Sequence, residues 1–161
     1  MPSCDTALYG EWSRKQLPLG PEWELQRELS VWATMQSCHP DTAPVVLLVE
    51  DEPLVRLLGA DVLEDAGFEV IEASNADEAI ALLKRHHDVC VLWTDVDMPG
   101  SLNGFEFARF VSQGWPEITV LVTSGKLSPR PGDLPRRGAF IPKPYRPEAV
   151  VRHIREMTKA A

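Results

Sequence analysis

No apolar run in this 161-residue chain reaches the roughly 18 residues needed to span a bilayer as a helix. The N-terminus, MPSCDTALYGEWSRKQ, also lacks a basic stretch followed by an apolar one, so neither secretion nor membrane insertion is expected and a cytoplasmic protein is. Cysteine is scarce. Cys4, Cys38 and Cys90 have no metal-like spacing, and Cys90 lies inside an apolar run, where it reads as a buried reduced thiol; no disulfide framework is expected. Positive charge is in deficit, with 16 Lys and Arg against 24 Asp and Glu, a formal charge of -8 and a pI near 5.0. Phosphate contacts need clusters of cations, and the pair Arg136-Arg137 is too small to supply them, so direct nucleic-acid binding is not expected. A phosphate-binding P-loop is excluded by spacing: the Gly125-Lys126 pair is followed by Leu127, and Val120 stands where the leading glycine belongs.

What is present is the composition of an ordinary globular domain, 44% hydrophobic and 25% charged, in a chain long enough for one core. The first 43 residues stand apart, because they hold three of the five tryptophans and no strand-like run. We therefore divide the chain into an N-terminal extension, 1–43, and a domain, 44–161. Within the extension, GPEWELQRELSVWATM suits a helix at about 21–36, with Pro21 at its first position and Leu25, Leu29 and Trp32 on one face. Two readings stand side by side: a disordered or loosely docked tail, which a start at Met35 would even remove, and a docking or dimerisation helix.

From Pro44 onward, apolar strand runs alternate with amphipathic helical patterns. VVLLV (45–49) is continuous, as in a central strand covered on both faces. A helix over 53–66 follows, with Leu54, Leu58 and Val62 at four-residue spacing and Gly67 at its end. FEVIEA (68–73) reads as a strand nearer the edge, and Asn75 with Glu78 three residues on opens a helix to about Arg85. VCVLWT (89–94), a helix over 104–113, ITVLVT (118–123), a short AFI (139–141) and a helix over 147–159 complete the series. Such alternation implies an α/β fold with a parallel sheet and helices on both faces. Function then belongs at the carboxyl ends of the strands.

Glu50 and Asp51 follow the first strand, Asp95 the third, Ser124 the fourth and Lys143 the fifth. In a doubly wound sheet the first and third strands are neighbours, so three carboxylates crowd together, an arrangement that calls for a cation. Oxygen ligands without His or Cys suit Mg2+, and Mg2+ implies phosphate chemistry. A carboxylate can be the nucleophile in phosphoryl transfer, with a Lys and a hydroxyl donor neutralising the transferred oxygens. Singly, each residue has an ordinary explanation: acidic residues suit a helix start, Ser124 or Thr123 a turn, and Lys143 a solvated surface. Their joint placement at four strand ends favours the site.

These stretches resemble the receiver domain of bacterial two-component response regulators, the CheY-like superfamily: VLLVEDEP its first strand and acidic pair, TDVDMPG its phosphoacceptor loop, VTSG its switch hydroxyl, FIPKPY its Lys-Pro motif. The resemblance implies a flavodoxin-like, doubly wound, five-stranded parallel sheet in the order 2-1-3-4-5. It implies that Asp95 accepts phosphate from a histidine kinase or a histidine phosphotransfer protein. Mg2+ would be bound directly by Asp51, mainly through water by Glu50, and by Asp95 and the backbone carbonyl of Asp97. Ser124, rather than Thr123, would bond the phosphoryl oxygen, Lys143 would pair with it across a cis Lys143-Pro144 peptide, and Phe140 would be the aromatic switch coupled to Ser124. Such a protein is a phosphoacceptor, not an enzyme beyond Mg2+-dependent self-phosphorylation and autodephosphorylation. A stand-alone receiver of this kind acts on a protein target, which the sequence does not name, and a second copy of the chain is a further candidate partner.

The chain departs from that family in GKLSPRPGDLPRRGA, where Pro129, Pro131 and Pro135 preclude a helix interior. The fourth helix is expected to be shortened or replaced by a loop, which phosphorylation would reshape. Two competitors remain. Asp95-Val96-Asp97 also resembles the Asp-x-Asp start of haloacid-dehalogenase-like phosphatases, with Asp97 as acid/base, although Met98-Pro99-Gly100 follows and the acidic pair lies upstream. The other is a receiver-like interaction module that is never phosphorylated.

Overall fold

The computed structural model describes residues 42–159. The extension proposed over 1–43, apart from its last two residues, and the helix at 21–36 lie outside the described residues. In chain order the elements are β1 (Val45–Val49), α1 (Pro53–Asp65), β2 (Glu69–Ala73), α2 (Ala76–Leu83), β3 (Val89–Asp95), α3 (Gly104–Gly114), β4 (Thr119–Ser124), β5 (Gly138–Pro142) and α4 (Pro147–Lys159). The strands form one sheet in the order β2-β1-β3-β4-β5, parallel throughout.

Burial follows from position in the sheet. Every residue of β1, β3 and β4 is buried, which is why these strands read as continuous apolar runs, whereas the edge strands β2 and β5 are mixed. The period of two divides β1 between two cores. Val45, Leu47 and Val49 face α2 and α3 through Ala79, Leu83, Phe107 and Val111. Val46 and Leu48 face α1 and α4 through Ala60, Leu63, Val150 and Ile154.

Helix ends follow local chemistry. Pro53 opens α1, and Gly67, with φ of 89°, takes the left-handed conformation that releases the chain into β2. The Asn75 side chain accepts the Glu78 N–H at 2.9 Å, as expected, but the Glu78 carboxylate turns to the Ser74 N–H and hydroxyl at 2.7 and 2.6 Å. A full capping box stands instead at α3, between Asn103 and Glu106. The sequence reading passed over it, although Asn-Gly-Phe-Glu carries the required spacing.

Between Ser124 and Gly138 there is no helix, only turns at 131–133 and 136–137, so the Pro-rich stretch is the loop its prolines demand. Strand and helix limits otherwise match expectation, as for β1 and α4, or shift by one or two residues, as where β4 gains Ser124 and β5 gains Gly138 and Pro142 by pairing. Cys90 is buried on β3 but is disulfide-bonded rather than a free thiol. Its partner lies outside the described residues, and spacing alone could not reveal a pairing that depends on proximity in space. No helix among the described residues is long and apolar enough to cross a membrane.

Candidate phosphoacceptor and metal site

Parallel pairing brings the ends of four strands to one edge. The register sets Val49 beside Thr94, Asp95 beside Thr123 and Ser124 beside Pro142, so Glu50, Asp95, Ser124 and Lys143 emerge at one level. Ligand oxygens of Glu50, Asp51 and Asp95 lie within 4.8 Å of one another. Glu50 and Asp95 are only 5% and 7% exposed, while Asp51 is more open.

Two buried carboxylates at such range need an opposing charge. Lys143 provides it, donating to Glu50 Oε2 at 3.0 Å and to Asp95 Oδ2 at 2.8 Å. Burial still pushes the Glu50 carboxyl above the ordinary range, outweighing the Lys143 hydrogen bond and charge that pull it down. For Lys143, burial alone would lower the pKa, but its hydrogen bonds and charge pairing with Asp95 and Glu50 prevail and raise it. It is a fixed cation at neutral pH. The peptide joining it to Pro144 is cis, as the resemblance implied.

Backbone contacts hold the carboxylates in place. Arg56 Nη1 donates to the Glu50 carbonyl at 2.7 Å while its Nε meets Glu72 at 3.2 Å, which ties the β1 end to α1. The Val96 N–H donates both to Asp95 Oδ1 at 2.7 Å and to the Thr123 carbonyl at 2.9 Å. Gly104 closes the loop from the other side: its N–H bonds the Val96 carbonyl at 3.1 Å, and a Cβ there would collide with the Asp95 carbonyl oxygen. Only glycine fits. Sequence reasoning missed this residue, whose signal is the Asn103-Gly104 cap.

The two candidate hydroxyls part company. Thr123 is buried, accepts from Trp93 Nε1 at 3.4 Å and donates to the Thr94 carbonyl at 3.4 Å, both within the sheet. Ser124 Oγ lies 3.5 Å from Asp97 Oδ2 and accepts the Lys126 and Leu127 N–H groups at 3.2 and 3.0 Å. The Asp97 side chain is exposed and turns toward Ser124 rather than joining the acidic trio. Phe140 is half-buried, its ring 6.4 Å from that of Phe105 on the α3 side. Tyr145, which the sequence reading did not single out, meets Trp93 edge-on at 6.0 Å, and burial raises its phenol pKa.

The donor set fits magnesium. Three carboxylates offer hard oxygens without nitrogen or sulfur, and the position between Glu50 and Asp95 already attracts one cationic group, the Lys143 ammonium.

Known proteins agree with this geometry. Residues 46–155 match the family model for the response regulator receiver domain. The response regulator receiver protein CpdR of Brucella abortus is 30% identical over 120 residues, covering 72% of this chain and 98% of that protein. The hydrogenase transcriptional regulatory protein HoxA of Cupriavidus necator is 43% identical over 88 residues, 53% of this chain but 17% of its own. The chain thus spans less than a fifth of HoxA and only 11% of the sensor kinase/phosphatase LuxN of Vibrio harveyi. The chemotaxis response regulator CheY4 of Vibrio cholerae superposes with a TM-score of 0.63 at 28% identity, covering 72% of this chain and 99% of that one. A receiver protein from Sinorhizobium medicae, at 24% identity, shares the fold with a TM-score of 0.69, covering 73% and 96%. With the parallel sheet, the acidic trio and the strand-end lysine in place, this chain belongs to the response regulator receiver domain family.

Proposed function

We propose that this protein is a single-domain, cytoplasmic response regulator that takes a phosphoryl group onto Asp95 from a histidine kinase or a histidine phosphotransfer protein. The observation that carries this reading is the Lys143 ammonium shared between Asp95 and Glu50 at 2.8 and 3.0 Å. It marks the place where negative charge is gathered and answered. The match to the response regulator receiver protein CpdR, which spans 98% of that protein, supports the receiver reading.

In the transfer, an Asp95 carboxylate oxygen forms a bond to phosphorus as the bond from phosphorus to the donor imidazole nitrogen breaks. The electron pair of that bond returns to the nitrogen. Magnesium, when bound, supplies positive charge against the phosphoryl oxygens; Glu50, Asp51, Asp95 and the Asp97 backbone carbonyl would hold it. Glu50 and Asp95 orient through their ties to Arg56 and Val96, and Lys143 is placed to pair with the incoming oxygens. Ser124 donates its hydroxyl to the same group. Because its Oγ also accepts the Lys126 and Leu127 N–H groups, a shift of Ser124 is passed to the 125–137 loop and thence to a protein target.

Intact mass after incubation with Mg2+ and acetyl phosphate tests the reading, on wild type and Asp95→Ala. One phosphate added to wild type alone, and lost with chelator, is expected. No adduct, together with no beryllofluoride binding, would favour the unphosphorylated interaction module. Turnover of phosphate esters would favour the phosphatase, although the exposed Asp97 carboxylate beside Ser124 gives that reading no acid/base aimed at Asp95.

A further inference from the structure

The turn between β2 and α2 touches both segments that carry the proposed magnesium ligands. On one side, the Glu50 N–H donates to the carbonyl of Ala73, the last residue of β2, at 3.1 Å, which fixes where β1 delivers Glu50 and Asp51. On the other, Asp77, in the first turn of α2, faces the loop that follows Asp95. The Ser101 hydroxyl donates to Asp77 Oδ1 at 2.7 Å, and the Ser101 N–H to Asp77 Oδ2 at 3.5 Å, across 24 positions of the chain. The turn itself is stiffly braced. Glu78 takes the Ser74 N–H and hydroxyl, Asn75 Nδ2 donates to Ser74 Oγ at 3.0 Å, and Asn75 Oδ1 accepts the Glu78 N–H at 2.9 Å.

The loop after Asp95 needs such a hold. Pro99 has no N–H to give, and the Met98 N–H closes only on the nearby Val96 carbonyl, at 3.1 Å. Met98 and Leu102 rest on the apolar core, which sets their depth but not the direction of the backbone, because apolar contact is non-directional. Hydrogen bonds from one residue to both oxygens of a carboxylate are directional. Magnesium tolerates little error in the placing of its oxygens, so a loop free to swing would offer the Asp97 carbonyl poorly. Asp77 and Ser101 are both exposed, so their contact adds little to overall stability and its effect on the site can be measured separately.

We infer that Asp77 and Ser101 are positioning residues for the metal site. They lock the loop after Asp95 to the same turn that anchors Glu50, and so hold the Asp97 carbonyl and the acidic trio at a fixed spacing. Neither residue belongs to the ligand set. The inference rests on the reading of Asp95 as a magnesium-dependent phosphoacceptor, and it adds to that site a pair of residues lying outside it.

Calorimetric titration of the full chain with Mg2+, together with amide exchange over 96–103, tests the inference. Ser101→Ala and Asp77→Ala are each expected to weaken Mg2+ binding about tenfold and to speed exchange in the loop, with thermal unfolding of the metal-free protein nearly unchanged. The double variant should bind no more weakly than either single one, because both remove the same contact. Ser101→Thr, which keeps the hydroxyl, and Asp77→Asn, which keeps an acceptor without the charge, should stay close to wild type. Wild-type affinity in Ser101→Ala overturns the inference. So does a loss in Asp77→Asn equal to that in Asp77→Ala, since charge alone would then account for it. Asp51→Ala distinguishes failure of the metal site itself: if this variant also binds Mg2+ as wild type does, the ion lies elsewhere and the inference falls with the site.

Discussion

Lys143 Nζ sits 2.8 Å from Asp95 Oδ2, although the two residues are 48 positions apart in the chain. The fifth strand delivers the cation and the third the anion, and Glu50 shares the same ammonium at 3.0 Å.

Removing that cation leaves two nearly buried carboxylates facing each other. Lys143→Met is expected to destabilise the metal-free protein by about 1–3 kcal/mol, the cost of leaving partly buried charge uncompensated. Added Mg2+ should recover more stability in the variant than in wild type. Urea denaturation with and without Mg2+ measures both, and equal Mg2+ gains would mean that Lys143 does not hold the cation's place.

The Glu50 carboxyl titrates above its ordinary value because it is buried, and the sign of the effect on stability follows. Below the unfolded pKa both states hold the proton. Between that value and the folded one the native state keeps a proton that the unfolded chain has lost, so stability falls as pH rises through the window. Denaturation of metal-free protein across this range should show the decline, and Glu50→Gln should flatten it. The Lys143 pKa is raised too, so stability falls with rising pH in its window as well, but that window lies in strong alkali and its contribution is whole at neutral pH.

Gly104→Ala would press a methyl group against the carbonyl of Asp95 and the Cα of Val96, both backbone atoms with little freedom to move. A loss of about 1–3 kcal/mol is expected, with slower phosphoryl uptake at Asp95. Gly114→Ala, at the far end of α3 with nothing within 4 Å of the added carbon, serves as the control and should be nearly neutral. Thermal unfolding of the pair distinguishes a local clash from helix propensity.

Ser124→Ala removes the acceptor of the Lys126 and Leu127 N–H groups. Amide exchange at those two positions should quicken. Beryllofluoride should alter exchange over 126–138 in wild type and much less in this variant. An identical beryllofluoride response in both would sever the acceptor site from the loop.

The central strands were legible because full burial writes itself as unbroken apolar runs, and VVLLV and VCVLWT admit little else. The acidic and basic strand-end residues were legible for the same reason, since a charge at the end of such a run has no ordinary packing role. Gly104 was not, because its need arises from the Asp95 carbonyl nine residues earlier, a closeness only the folded loop creates. The Asn103–Glu106 cap was written in the chain but overlooked.

By itself, then, the sequence determined the alternation of elements, the parallel sheet and the residue types gathered at its edge, since these follow from local periodicity and from the chemistry of side chains near in the chain. It also determined the loop at 125–137, because prolines forbid a helix wherever they fold. Tertiary structure decided how the two hydroxyls are engaged, Thr123 by Trp93 and Thr94 within the sheet and Ser124 by the Lys126 and Leu127 N–H groups at its edge. It decided too that one lysine answers two carboxylates and that the leucines of α1 stay uncovered within the described residues. Such contacts join residues far apart in the chain, and only the packing of strands and helices sets their distances.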